Sequence, residues 1–226
     1  MNISFDKNIT GQPIGVSVVS EPRALSSFLD PDCSAAIWAR EIPLQTQNWI
    51  NELDPKLLPV GRVICPTSMV EETIRNLCDI SNLPPGVHRT WFEKDIAELA
   101  NLFSKLTNAR YLRLRLGVYE TASCPKFHID YIPSRLVCTY RGNGTQYGVA
   151  KNDDDPEGIK TVRTGCPIVL KGLLWPGGLK TKIVHRSPPT EGPEQTRLLL
   201  ALDDVADPDE EVLGQVFQPA EVAPYP

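Results

Sequence analysis

The chain has 226 residues, of which 41% are apolar and 23% charged, the balance of a soluble globular protein, and the length suits one substantial core or one domain with a large extension without requiring two equal domains. Its net charge of −5 lacks the basic footprint of a general nucleic-acid binder, and no window approaches the roughly 18 consecutive apolar residues of a membrane span. Nucleic acid and membrane are therefore not expected partners.

The opening segment, from Met1 to Lys7, lacks the basic flank and continuous apolar core of a signal peptide, which predicts a cytoplasmic protein. Six cysteines are scattered with no Cys-x-x-Cys pair, which excludes a zinc ribbon or a thioredoxin-type motif and predicts mostly buried free thiols. Over the first 30 residues, Val-Ser-Val-Val set among Pro, Gly and Ser supports at most a short edge strand. Thr46 to Leu53 reads as a short helix with Trp49, Ile50 and Leu53 on one side, and Trp38 and Trp49 read as core anchors. Two amphipathic helices follow. Ser68 with Glu71, and Thr90 with Glu93, form capping-box patterns ahead of apolar residues at three- and four-residue spacing. Residues 1–110 are thus expected to be a helical scaffold packed on the sheet that follows, with His88 an ordinary loop histidine.

At Tyr111 the period changes to two. Leu112, Leu114, Leu116 and Val118 alternate with Arg113, Arg115, Gly117 and Tyr119, so one face is apolar and the other basic and aromatic. Further short strands are predicted at Arg135–Arg141, after Cys166, around His185 and from Arg197 to Leu202, punctuated by turn signals such as Gly142-Asn-Gly. This spacing indicates an antiparallel sandwich or barrel over residues 111–202. From Asp203 to Glu211 the chain carries six carboxylates and no base, then becomes Pro-rich, so 203–226 reads as a mobile acidic tail.

Within the sheet region, Phe127-His128-Ile129-Asp130 carries two metal-binding side chains. On a strand His128 and Asp130 point to one face about 7 Å apart, close enough to converge on one ion. His185, in the extended segment Lys182-Ile-Val-His185, supplies a third donor. Two imidazoles and one carboxylate are the set that non-haem ferrous iron prefers, because they fill one face of an octahedron and leave the other open. Cys124, four residues before His128, would instead complete a four-coordinate zinc site if the chain turns at Pro125.

The order His-x-Asp, distal His, downstream Arg resembles the iron(II)/2-oxoglutarate-dependent oxygenases. The resemblance implies an α+β chain with a double-stranded β-helix core, the jelly-roll architecture shared with cupins, and N-terminal helices packed on its sheet. It implies Fe(II) held by His128, Asp130 and His185, 2-oxoglutarate clamped by Arg197 with Tyr119 as a second co-substrate contact, and oxygen with a small anionic or polar molecule as the other substrates. Inward-facing Arg113, Arg115 and Arg135 would make such a pocket basic. Over the whole chain, Ala36-Ile-Trp-Ala-Arg40, Arg135-Leu-Val-Cys-Thr-Tyr-Arg141 and Val184-His-Arg-Ser-Pro-Pro189 are similar to a bacterial family catalogued as domain of unknown function 1826. Its members are often encoded near zinc-responsive GTPase metallochaperones, which implies the alternative of a zinc-binding, cupin-like protein without oxygenase activity, linked to metal homeostasis.

Overall fold

The computed structural model describes residues 13–121, 124–151, 155–189 and 196–209. In chain order the strands are β1 (Val16–Val19), β2 (Ala35–Trp38), β3 (Gly61–Pro66), β4 (Tyr111–Tyr119), β5 (Ser134–Arg141), β6 (Gln146–Val149), β7 (Lys160–Thr161), β8 (Pro167–Lys171), β9 (Ile183–Arg186) and β10 (Arg197–Val205). The helices are α1 (Leu44–Glu52), α2 (Val70–Ile80) and α3 (Val87–Thr107), with short 3-10 turns between elements. Seven strands form a large sheet in the order β1-β2-β8-β5-β10-β4-β3, and three form a small sheet, β7-β6-β9. Pairing is antiparallel except between β1 and β2. Three strands of the large sheet, including both edges, come from the segment before residue 110.

Alternation decides what each face of the large sheet does. Leu112, Leu114 and Leu116 of β4 and Leu198, Leu200 and Leu202 of β10 point toward the helices, where they meet Ile74 and Leu77 of α2 and Phe92, Ile96, Leu99 and Phe103 of α3. On the opposite face Ala35, Ile37, Val137, Ile168 and Leu170 pack against Tyr147 and Ile183 of the small sheet. The two sheets therefore enclose a second core, and the polar residues of β4 and β10 lie at its edge.

The capping boxes are not formed. A 3-10 turn over Thr67–Met69 precedes α2, which starts without a side-chain cap. Helix α3 starts earlier than the pattern predicts, at Val87, because Gly86 takes φ +149° and lets the chain enter the helix there. Thr90 is then already inside the first turn, and Glu93 is engaged by Arg89 at 2.7 Å rather than by a backbone amide. His88 packs on Trp49, with ring centroids 5.8 Å apart, and its Nδ1 lies 3.0 Å from the Thr46 hydroxyl.

The predicted acidic tail begins too early. Asp203 and Asp204 belong to β10, where Asp203 lies opposite Arg113 on one side and Arg135 on the other, and Asp204 accepts from the Ser134 amide and hydroxyl. Residues 210–226, most of that tail, lie outside the described residues. Among the described residues no helix is long and apolar enough to cross a membrane. All six cysteines are free, and all but Cys124 are buried.

Candidate metal centre

His128 and His185 face each other across two chain segments that exchange both backbone hydrogen bonds, 3.1 Å from the His128 amide and 2.9 Å from the His185 amide. The strand expected through residues 128–130 reduces to this single bridge, because the chain turns away through Pro133 into β5. An antiparallel pair of this kind sets its side chains on one face, and the two imidazole centroids are 4.5 Å apart. The Asp130 carboxylate completes the group, with Oδ2 3.2 Å from His185 Nε2 and Oδ1 3.7 Å from His128 Nε2. One donor atom from each of the three residues lies within 4.8 Å of the others. Two donors each about 2.1 Å from one ion, at a right angle, are about 3 Å apart, so small side-chain adjustments suffice to hold a metal.

The polar bonding around the trio fits a cation. Asp130 Oδ1 accepts from Arg135 at 2.5 Å, whereas the buried Oδ2 accepts no directed hydrogen bond. A buried acceptor left without a donor costs about 1–3 kcal/mol, and a metal ion removes that cost. His128 Nδ1 donates to the Lys126 carbonyl at 2.9 Å, which leaves Nε2 with its lone pair toward Asp130. Burial raises the Asp130 carboxyl, but nearby His128 and His185 and the Arg135 charge outweigh it and hold the group well below the usual carboxylate range. Asp130 raises the His128 imidazole against the opposing effect of burial, while burial dominates at His185 and lowers it.

A chain of charges ties this group to the large sheet. Arg135 binds Asp203 at 2.6 and 2.9 Å, and Asp203, 3% exposed, also pairs with Arg113 at 3.1 Å. Sequence reasoning missed Asp203. The available signal was the period of two, since Arg197, Leu199, Ala201 and Asp203 occupy one face of β10.

A cavity of about 290 Å³ opens beside the trio and is lined by His128, His185, Arg115, Arg135, Tyr119 and Arg197, among others. Arg197 is 8% exposed and is cradled by neutral oxygens: the Asn143 carbonyl at 2.9 Å, Thr145 at 3.0 Å, Thr139 at 3.1 Å and Ser187 at 3.4 Å. Burial pushes this guanidinium down to about 10, with Tyr119 opposing. No sequence pattern marks Thr139, Thr145 or Ser187 as its cradle. Tyr119 folds back over Gly117, whose lack of a Cβ leaves the ring its place. Cys124 also lines the cavity, yet its thiol is outside the three-residue group. A larger groove of about 730 Å³, between α1 and the Gly142 turn, contains none of the three donors.

The fold is shared with dioxygenase for auxin oxidation 1 from Arabidopsis thaliana, a structure with 2-oxoglutarate bound, at 11% identity and a TM-score of 0.50, covering 92% of this chain and 98% of that one. The rice dioxygenase for auxin oxidation is similar at 12% identity, 87% and 84% coverage and a TM-score of 0.49. A Pseudomonas putida prolyl-4-hydroxylase follows at 11% identity, 86% and 98% coverage and a TM-score of 0.42. No curated protein sequence matches the chain. Residues 19–203 match the family described as protein of unknown function DUF1826, and the chain belongs to that family.

Proposed function

We propose that this protein is a cytoplasmic Fe(II)/2-oxoglutarate-dependent oxygenase, a hydroxylase of a small molecule, built on a double-stranded β-helix core. The observation that carries the reading is the pairing, around one cavity, of a two-histidine, one-carboxylate group with a buried arginine whose partners among the described residues are all neutral. His128, Asp130 and His185 would hold the iron, and three ligands on one face leave room for a chelating 2-oxo acid and oxygen. When bound, ferrous iron supplies oxygen activation coupled to decarboxylation of 2-oxoglutarate. Arg197 offers its charge and the Nη1 end of its guanidinium, engaged by Ser187 at 3.4 Å, to the far carboxylate of the co-substrate. Thr139, Thr145 and the Asn143 carbonyl fix its orientation without neutralising it. Tyr119, held over Gly117 at the cavity wall, is the second co-substrate contact. Arg135 occupies Oδ1 of Asp130 and so leaves Oδ2 as the oxygen offered to the metal.

A closed zinc site completed by Cys124 has weaker support, because that thiol is not among the grouped donors. The test is anaerobic titration of the metal-free protein with Fe(II) and then 2-oxoglutarate. A weak visible charge-transfer band from the chelated 2-oxo acid is expected in the wild type and is expected to vanish in Asp130→Ala. Tight zinc uptake with no band from iron would sink the oxygenase reading.

A further inference from the structure

Arg62 of β3 and Arg115 of β4 are directly opposed in the antiparallel register, and therefore share the cavity-side face of the large sheet. Like charges opposed across two strands destabilise the pair. The neighbouring cations have counter-charges: Arg113 and Arg135 share Asp203, and Arg186 lies 3.7 Å from Asp155. Arg62 and Arg115 make no hydrogen bond or ion pair with any described residue. In a chain of net charge −5, this edge of the sheet concentrates positive charge that no carboxylate among the described residues answers.

The register also places Arg115 relative to the centre. It lies opposite Ala201, one rung pair from Asp203, to which Arg135 and hence Asp130 are tied. Arg197 stands opposite Tyr119, four residues back along β10, or roughly 13 Å at strand spacing. Arg197 and Arg115 thus mark two positions along the cavity wall, which His128 and His185 also line.

From this placement the structure assigns Arg115, with Arg62 at the rim, as the receptor for an anionic group of the prime substrate, a carboxylate or a phosphate, distinct from the Arg197 position. The assignment rests on the oxygenase reading of the same cavity. A guanidinium fork whose donors no described residue engages matches either anion bidentately. Substrate would enter from the β3–β4 edge with its charged end on Arg115, and so carry its uncharged part toward the trio.

The experiment uses the full chain loaded with zinc, which supports no turnover, and saturated with 2-oxoglutarate, titrated calorimetrically with inorganic phosphate and separately with benzoate. One of the two probes is expected to bind with 1:1 stoichiometry, at least tenfold more weakly in Arg115→Gln and by a smaller factor in Arg62→Gln. Both variants should retain wild-type 2-oxoglutarate affinity. Because Arg115→Gln removes an unanswered charge, its melting temperature should equal or exceed that of the wild type, so a loss of probe binding is not a loss of fold. The inference is overturned if neither probe binds, if Arg115→Gln binds both as the wild type does, or if Arg115→Gln rather than Arg197→Gln removes 2-oxoglutarate. Failure of the wild type to bind 2-oxoglutarate, with Arg115-dependent anion binding intact, would overturn the oxygenase reading and leave the anion receptor standing.

Discussion

The same strands give the large sheet two faces of opposite character. Toward the helices, β4 and β10 present leucines at 112, 114, 116, 198, 200 and 202, none more than 1% exposed. Toward the cavity they present Arg113, Arg115, Gly117, Tyr119, Arg197 and Asp203. The charged group on the helix side is closed on itself: Arg40 binds Asp95 at 2.5 and 2.7 Å, and the Tyr140 hydroxyl donates to the same carboxylate at 2.6 Å. On the cavity side, among the described residues, Arg197 is met by neutral oxygens alone, and Oδ2 of Asp130 accepts no directed hydrogen bond. Each leucine on the helix side stabilises the fold by about 1.5–3 kcal/mol, while the open polar groups on the cavity side detract from stability. The difference teaches that, within one strand, the even positions hold the molecule together and the odd positions build the wall of the candidate site.

Asp203→Ala tests that division hardest, because Asp203 is an odd position that does both. Its removal takes the shared carboxylate from two partly buried guanidinium groups, and a loss of about 3–5 kcal/mol in urea unfolding is expected, with metal affinity of the folded protein falling roughly ten- to hundredfold as Arg135 keeps only its bond to Asp130. Unchanged stability would show that Asp203 does not hold Arg113 and Arg135 in solution. Leu200→Ala, on the other face, should cost about 2–5 kcal/mol and leave zinc affinity untouched; a parallel loss of zinc binding would erase the separation between faces. Arg197→Gln removes charge-assisted bonds to the co-substrate, and a roughly ten- to hundredfold weaker 2-oxoglutarate affinity follows, at constant iron affinity and nearly constant melting temperature. The smallest effect is that of pH. Neutral imidazoles are needed for metal binding, and Asp130 raises the proton affinity of His128. Zinc affinity should therefore begin to decline above the ordinary imidazole value of about 6.5 as pH falls, approaching a tenfold loss per unit. A flat profile between pH 8 and 6 would argue against His128 as a ligand.

Much of this division is legible in the sequence, for a definite reason. The period of two over residues 111–119 fixes both faces of β4 without any long-range information, and the same period over 197–202 does so for β10. His128, Asp130 and His185 stand out because the chain has only three histidines and two of them fall in extended segments. The helix starts were not legible, because the competing partner of Glu93 is Arg89 and the early entry depends on the conformation of Gly86. Nor was the end of β10, where two aspartates look like tail until the opposing arginines of β4 and β5 are placed beside them. Counter-charges supplied by other strands leave no mark in the local pattern.

The reciprocal amide bonds between His128 and His185 make the spacing of the imidazoles a property of the main chain. On the proposed reading the centre is preorganised: an incoming ion would meet ligands already aligned and would not have to draw two segments together at the expense of chain entropy. Discrimination among metals would then fall to donor type and cavity access rather than to induced assembly, and ion exchange would need no opening of the fold.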